Sequence, residues 1–366
     1  MKTTTALLAA ATAAALALPP CAQADGRDDM RPITLAVFGD WPYNQNLLDN
    51  ARLLIDSVNA DPSVSAVLHV GDIHSGSQPC TSAGILPPLA SANPGWNQAI
   101  FNRFQQFRAP LVYTPGDNEW TDCHKSKQGA SGDPLKELAS VRELFFSRPG
   151  RTLGGTDRRV TSQALAFDPA WPADAQYVEN VLWEEQRVVF VTLNMPGSNN
   201  DTVPWSGAFA NPAAQAQERT QRTDADIRWL QAAFAKAKAG RARAMVIALQ
   251  ADMWDPSALD AGGDGLYNYT PFVQKLAELS IAFQRPVLLL NGDSHLFQAD
   301  QPLADPNSAT GRIHNTPPVP NLTRITVQGS TNAPAEWLRL TIDPRSGAPF
   351  SWSNVPYCAN PTGSCR

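Results

Sequence analysis

The sequence has no large excess of charge of either sign, no internal repeat and no linker that would mark a domain boundary. Its 366 residues carry a formal net charge of −5, and Lys and Arg are scattered along the chain. This mild acidity argues against a nucleic-acid surface, which usually needs a basic patch. An apolar fraction of 43% with ten tryptophans predicts a well-filled core and argues against disorder.

Long apolar runs are also lacking. Beyond the first residues, no run reaches the roughly 20 residues that are needed to cross a bilayer. The run at residues 6–18 follows Lys2 and precedes Ala22-Gln23-Ala24, which is typical of a secretory signal peptide. We therefore expect a signal peptide over residues 1–24, one domain over 25–366, and a periplasmic or secreted protein without a membrane span after cleavage. An uncleaved anchor and lipidation at Cys21 are the weaker interpretations.

Cysteine is scarce, with five residues in the chain, and removal of the leader would leave four. An even number of cysteines in an exported protein favours disulfides over zinc ligation. Four cysteines allow three pairings. The most economical pairing joins Cys358 to Cys365 and Cys80 to Cys123, and free reactive thiols are the less favoured alternative.

Four short apolar runs each end in Gly followed by Asp. They begin at residues 33, 66, 110 and 286 and lead to Asp40, Asp72, Asp117 and Asp293. Such runs are typical of strands that are buried on both faces of a sheet. Amphipathic segments between them predict helices, so the order indicates an α/β fold with a parallel sheet. Further runs at residues 323–328, 337–342 and 350–353 predict antiparallel strands of a second sheet.

The four aspartates predict a cation site if their strands are neighbours, because ligands collect beyond the carboxyl ends of strands in open α/β sheets. Two carboxylates about 4 Å apart repel by about 4 kcal/mol at an effective dielectric near 20. Four together therefore require protons or cations. His295, which follows Asp293 closely, adds a nitrogen donor. One or two divalent cations are the simplest arrangement, and two could hold a phosphate and activate a water molecule.

In order and spacing these motifs resemble those of the calcineurin-like metallophosphoesterases, with a first motif similar to that of the purple acid phosphatases. The matching segments are Gly39-Asp40, Gly71-Asp72, Gly116-Asp117-Asn118-Glu119, Gln250 and Gly292-Asp293-Ser294-His295. The resemblance extends from about residue 33 to residue 342. It implies an α/β/β/α architecture, a two-sheet sandwich flanked by helices, with a dinuclear metal site at its edge.

The resemblance also implies a set of metal ligands, in which Asp72 bridges the two ions. The set is Asp40, Asp72, Asp117, Gln250, Asp293 and His295. Asn118, Gln250 and Asp293 stand where the family commonly has imidazoles, so the donors are mostly oxygens. Oxygen-rich sites suit Mg²⁺, Mn²⁺ or Ca²⁺. We expect one of these ions, with zinc or iron as the alternative.

The function that the resemblance implies is hydrolysis of small phosphate esters with a metal-activated water. Asn118 would hydrogen-bond the phosphate. It would not be the general acid, because an amide cannot act as one. His74, His124 or water would then protonate the leaving group. The alternative is a catalytically degenerate protein on the same scaffold that binds a ligand or a metal, which the amides at Asn118 and Gln250 favour.

Overall fold

The computed structural model of the protein describes residues 1, 30–80 and 95–365. Apart from Met1, the predicted signal peptide lies outside the described residues, and so does Cys21. The described part of the chain contains two mixed β-sheets and flanking helices. This arrangement confirms the predicted α/β class.

The strands alternate with helices along most of the chain. They are β1 (Ile33–Phe38), β2 (Val64–His69), β3 (Pro110–Tyr113), β4 (Leu153–Gly154), β5 (Thr161–Ser162), β6 (Val181–Glu185), β7 (Val188–Thr192), β8 (Ala244–Ala248), β9 (Val287–Asn291), β10 (Gln298–Asp300), β11 (Leu322–Thr326), β12 (Ala335–Ile342) and β13 (Phe350–Cys358).

The helical segments are short with two exceptions, α7 and α9. They are α1 (Gln45–Asp49), α2 (Ala51–Ala60), α3 (Trp96–Phe104), α4 (Pro134–Phe145), α5 (Gln163–Ala166), α6 (Gly197–Asp201), α7 (Pro212–Ala239), α8 (Pro256–Asp260), α9 (Thr270–Phe283) and α10 (Ala309–His314). In α6, Ser198, Asn199 and Asn200 have left-handed backbone angles.

The first sheet has six strands in the order β13-β12-β1-β2-β3-β4, and β1, β2 and β3 run parallel. The second has seven strands in the order β10-β11-β9-β8-β7-β6-β5, and β7, β8, β9 and β11 run parallel. Parallel strands point their carboxyl ends to the same edge, so each sheet presents one edge where loops can gather around a ligand.

Three buried apolar clusters show how the layers pack. One contains side chains from both sheets, among them Val37, Leu68, Val246 and Leu288. A second joins the seven-stranded sheet to α7 and α9, and a third joins the six-stranded sheet to α2, α3 and α4. This packing is compatible with a two-sheet sandwich, because each sheet buries one face against the other and one against helices.

One sequence prediction about the sheets was wrong in part. The runs near residues 323, 337 and 350 were predicted to form antiparallel strands of a second sheet. β12 and β13 are antiparallel but extend the first sheet, and β11 lies parallel to β9 in the second. The condition that all four Gly-Asp strands are neighbours is not met, because β9 belongs to the seven-stranded sheet. Which strands pair depends on contacts between distant segments, and periodicity within one segment does not encode those contacts.

Smaller differences concern element boundaries. The first amphipathic segment is divided between α1 and α2, and Asn50 closes the first of them. Strand β6 begins at Val181, after Pro172–Gln176 has formed a 3-10 turn. Both predicted disulfides are present, Cys80–Cys123 and Cys358–Cys365. In the described residues, no helix combines the length and the apolar character that crossing a bilayer requires.

Candidate metal centre

The predicted aspartates meet where the carboxyl edges of the two sheets come together. Asp40, Asp72 and Asp117 follow β1, β2 and β3 of the first sheet, and Asp293 follows β9 of the second. The loops are tied to one another by backbone hydrogen bonds, with Asp40 N–H donating to Gly71 O and Trp41 N–H to Asp72 O, both at 2.9 Å. The four side chains therefore converge, although their strands belong to two sheets.

Three of the converging aspartates have an unusual backbone. Asp40, Asp72 and Asp293 have positive φ angles of 49°, 61° and 74°. Such angles are uncommon in residues other than glycine and cost about 1–3 kcal/mol each. Because each turn bends the chain directly after a buried strand, the carboxylate is aimed towards the junction between the sheets.

Glycines next to the aspartates make the close approach possible. A Cβ atom added at Gly116 would collide with the Asp72 carboxylate, and one at Gly292 would lie 2.5 Å from Asp40 Oδ2. Neither position has space for a side chain. The Gly-Asp pattern that the sequence repeats therefore provides room for the carboxylate of another strand.

One half of the cluster, which we call the first half, consists of Asp40, Asp72 and His295. One donor atom from each residue lies within 4.8 Å of the others. The two aspartates are buried, whereas the His295 side chain is 39% exposed and its Nε2 lies 3.2 Å from Asp40 Oδ1. Asp40 Oδ2 is buried and has no hydrogen-bond partner in the described part of the chain. An unpaired buried carboxylate oxygen is a strong cation ligand, so this donor set fits a divalent cation.

Tyr43 is a member of the site that sequence reasoning missed. Its hydroxyl lies 2.8 Å from Asp72 Oδ2, 3.0 Å from Asp40 Oδ1 and 3.1 Å from His295 Nε2. Burial, and then the Asp40 and Asp72 carboxylates, raise the pKa of Tyr43 well above its ordinary value. The phenol is therefore protonated and can donate to one carboxylate at a time. Its position three residues after Asp40, at the end of the turn, was the available signal.

The second half of the cluster consists of Asp117, Gln250 and Asp293. Gln250 Nε2 donates to Asp117 Oδ1 at 3.0 Å and to Asp72 Oδ2 at 3.2 Å. Gln250 Oε1 accepts the backbone N–H of Gly197, and Asp293 Oδ2 accepts that of Asp252 at 3.0 Å. Amide N–H groups therefore donate to the carboxylates of the second half. In the first half, Asp40 Oδ2 has no such donor in the described residues.

Asn118, the predicted phosphate contact, hydrogen-bonds to residues of the first half. Its Nδ2 donates to Asp72 Oδ2 at 3.0 Å and to the Tyr43 hydroxyl at 3.1 Å. Its backbone N–H donates to Asp72 Oδ1 at 3.1 Å. Asn118 therefore orients the Asp72 carboxylate from two directions.

A serine hydroxyl completes the hydrogen bonding of Asp117. Ser198 Oγ lies 2.7 Å from Asp117 Oδ2 and 2.6 Å from Asp122 Oδ1, and it accepts from Lys125 Nζ at 2.8 Å. The left-handed turn of α6 brings this hydroxyl to the site. Nothing in the local sequence of α6 marks Ser198 as a partner of Asp117, because the contact links segments 81 residues apart.

Burial and mutual repulsion control the protonation of the acids. Burial, and then the neighbouring carboxylates, raise the pKa of Asp72 and of Asp293 well above the usual range. Burial and the nearby Asp122 also raise the pKa of Asp117. For His295 partial burial lowers the pKa, but Asp40 together with the more distant Asp117 and Asp255 carboxylates outweighs it, so the pKa is raised. Without a cation, the cluster thus retains protons.

The two predicted proton donors do not hydrogen-bond to the cluster in the described residues. His74 is fully buried, its Nδ1 contacts Ser75 O at 3.2 Å, and burial lowers its pKa to about 4. His124 Nδ1 accepts the backbone N–H of Ser206 at 3.1 Å, and burial together with Lys125 lowers its pKa. Both imidazoles are therefore neutral near pH 7.

No family model and no curated protein matches the chain. Among solved structures, the chain is similar to GAP50, described as the anchor in the inner membrane complex of Plasmodium. The match has 9% sequence identity, covers 90% of each chain and has a TM-score of 0.39. A likeness at this level supports no conclusion about fold or function.

Proposed function

We propose that this protein is an exported, metal-dependent phosphoesterase with the two-sheet sandwich of the calcineurin-like metallophosphoesterases. The observation that carries the proposal is the first half of the cluster. It brings Asp40, Asp72 and His295 together from both sheets, with a buried Asp40 oxygen that lacks a partner in the described residues. The order of the Gly-Asp motifs along the chain supports the same assignment.

The donor chemistry favours a hard cation. Two carboxylates and one imidazole would hold it, and oxygen-rich sites of this kind suit Mg²⁺, Mn²⁺ or Ca²⁺ better than zinc or iron. We propose that one cation binds the first half. A second cation, on Asp72, Asp117, Gln250 and Asp293, would have to displace the Gln250 amide that now donates to both Asp72 and Asp117.

The chemistry of the bound ion would be to polarise a phosphoryl oxygen and activate a water molecule. Asn118 positions the Asp72 carboxylate and has a side-chain amide that can turn an N–H towards a phosphoryl oxygen. His295 is the exposed member of the first half, so the substrate would enter on its side. Because His74 and His124 are neutral and neither hydrogen-bonds to the cluster in the described residues, water would protonate the leaving group, and esters of acidic alcohols such as nitrophenol would react best.

Hydrolysis of nitrophenyl phosphate and of its bis-ester, with Mg²⁺, Mn²⁺, Ca²⁺ or Zn²⁺ added singly, tests this function. We expect turnover with at least one of the hard cations and its loss in Asp72→Ala. Asp174→Asn is the matched control, because Asp174 is a buried carboxylate paired with Arg228 at 2.6 Å, away from the cluster. No turnover above the Asp72→Ala variant with any cation would refute the catalytic proposal.

A second candidate function is a cation- or ligand-binding protein without catalysis. The observation that favours it is the Tyr43 hydroxyl, which lies among the three donors of the first half. Isothermal titration with the same cations separates the two proposals. Stoichiometric binding without hydrolysis of either ester would favour the binding module, whereas binding accompanied by turnover would favour the enzyme.

A further inference from the structure

Asp252 lies immediately behind the Asp293–His295 turn. Its side chain is buried, and Oδ2 accepts the hydroxyl proton of Ser294 at 2.7 Å. Its backbone N–H donates to Asp293 Oδ2 at 3.0 Å. One residue thus contacts two successive side chains of the turn, although it lies in a different segment of the chain.

Arg324 fixes the Asp252 carboxylate. Its Nη1 lies 2.6 Å from Asp252 Oδ1, and its Nε and Nη2 donate to the two Asp300 oxygens at 2.9 and 2.8 Å. The guanidinium also lies 5.4 Å from the centre of the Trp254 ring. Arg324 comes from the middle of β11, and its side chain is 1% exposed. A buried guanidinium with this many partners has little freedom to move, so Asp252 is held rigidly.

The turn that Asp252 contacts is strained. Asp293 and His295 both have positive φ angles, 74° and 63°, with only Ser294 between them. Two such residues persist only where surrounding contacts hold them in place. The carbonyl of His295 accepts from Gly329 N–H at 3.0 Å and from Asn332 Nδ2 at 2.5 Å. Asp252 holds the preceding residues of the same turn, Asp293 through its backbone N–H and Ser294 through its carboxylate.

We infer that Asp252 and Arg324 are a positioning pair, which holds the strained turn so that His295 and Asp293 face Asp40. This inference rests on the proposed cation site and adds two residues to it. Supporting groups of this kind orient the ligands of a metal without touching it, and their loss typically costs 10- to 100-fold in metal affinity. Neither residue belongs to a motif of the sequence, and they lie 72 residues apart.

Binding of Mn²⁺ by electron paramagnetic resonance measures the contribution of the pair. In Asp252→Asn we expect a loss of affinity of about 10- to 100-fold. In Ser294→Ala, which leaves the buried ion pair intact, we expect a loss of about three- to tenfold, as for one ordinary hydrogen bond. Asp174→Asn is the matched control, because it also changes a buried carboxylate paired with an arginine, and it should leave the affinity unchanged.

A spectroscopic readout separates positioning from a general loss of stability. Imidazole signals of protein labelled with ¹⁵N-histidine, recorded without cation and assigned with His295→Gln, report the surroundings of the His295 ring. We expect the His295 signal to shift towards that of a mobile, solvated imidazole in Asp252→Asn and in Ser294→Ala. The signals of His69 and His314, which are buried and hydrogen-bonded elsewhere, should stay in place.

The outcomes distinguish the failure of this inference from the failure of the proposed function. A wild-type His295 signal in both variants would overturn the positioning role, whatever the cation does. If the wild-type protein binds no Mn²⁺ but the His295 signal moves as expected, the positioning role stands and the cation proposal fails. If Asp252→Asn does not fold, Ser294→Ala alone decides, because Ser294 lies at the partly exposed rim.

Discussion

The two halves of the carboxylate cluster accommodate their negative charge differently. In the second half both oxygens of Asp117 accept a hydrogen bond, one from Gln250 and one from Ser198. In the first half Asp40 receives all its contacts on Oδ1, and Oδ2 has no partner among the described residues. The comparison shows that hydrogen-bond donors pair with both oxygens of Asp117 at one end of the cluster, whereas at the other end one oxygen of Asp40 has no partner among the described residues.

The largest effect should come from comparing the same substitution in the two halves. Asp40→Asn removes a charge and an unpaired oxygen from the first half, so we expect cation affinity to fall more than about 100-fold, beyond the range for supporting residues. Asp117→Asn changes the second half, where hydrogen-bond donors already pair with both carboxylate oxygens. Its cation affinity should therefore fall by less than about tenfold. Titration calorimetry with Mg²⁺ measures both, and equal losses would show that the halves do not differ.

Gln250→Glu should convert the second half into one that requires a cation. The change removes two amide hydrogen bonds and adds a carboxylate beside Asp72 and Asp117. Without cation, the free energy of unfolding should fall by at least about 2 kcal/mol, and Mg²⁺ should restore most of the loss. Thermal unfolding with and without chelator measures this.

Gln163→Glu is the control for this experiment. Gln163 is also a buried amide that donates to an aspartate, Asp174, at 3.3 Å, but it lies away from the cluster. We expect this variant to lose stability without any recovery on addition of Mg²⁺. Recovery in both variants, or in neither, would contradict the difference between the halves.

The stability of the cation-free protein should fall as the pH rises above the range in which the unfolded acids titrate. The raised pKa values of Asp72, Asp117 and Asp293 mean that the folded protein retains protons that the unfolded chain releases near pH 3.9. Their contribution to stability is complete below that pH and is lost as pH rises through the raised values, by up to about 1.4 kcal/mol per pH unit and group.

Unfolding in urea and chelator at pH 5 and pH 8 checks this prediction. For the wild-type protein we expect a higher free energy of unfolding at pH 5 than at pH 8. This difference should be smaller for Asp72→Asn, because the variant lacks one of the titrating acids. Saturating Mg²⁺ should remove the difference between the two proteins. Identical pH dependence in wild type and variant would mean that Asp72 does not retain a proton.

The smallest effect concerns the phenol at the centre of the first half. Tyr43→Phe removes the hydroxyl that hydrogen-bonds to Asp40 and Asp72. Since this stabilises only the cation-free cluster, the variant should bind Mg²⁺ about two- to tenfold more tightly, as expected for one hydrogen bond. Tyr113→Phe is the control, because Tyr113 donates to Glu119 at 2.7 Å and does not contact the first half. Weaker binding by Tyr43→Phe would instead identify the phenol as a ligand.

The strands that carry the aspartates were predictable for a local reason. A buried strand needs a short apolar run, and the turn that follows needs Gly and Asp, so both signals lie within a few neighbouring residues. The pairing of Cys80 with Cys123 was likewise favoured by economy and is confirmed. The division of the first helical segment at Asn50 was not predicted, because capping contacts shift helix ends by a few residues.

The hydrogen-bond donors around the aspartates could not be predicted. Tyr43 contacts His295, which lies 252 residues away in the sequence, and Gln250 contacts Asp72, which lies 178 residues away. Ser198 reaches Asp117 only through a left-handed turn whose sequence carries no glycine at the strained positions. In each case the partner is selected by how two loops pack, and periodicity within one segment contains no information about that packing.

The sequence by itself determined which segments become buried strands and which acids follow them, because burial and turn formation depend on adjacent residues. Only the tertiary structure decided that β9 lies in a different sheet from β1, β2 and β3, and that the acids nevertheless meet. It also decided which carboxylate oxygens are paired and which one is not. The physical reason is that the donors arrive from loops on two sheets, and their positions depend on the packing between the sheets.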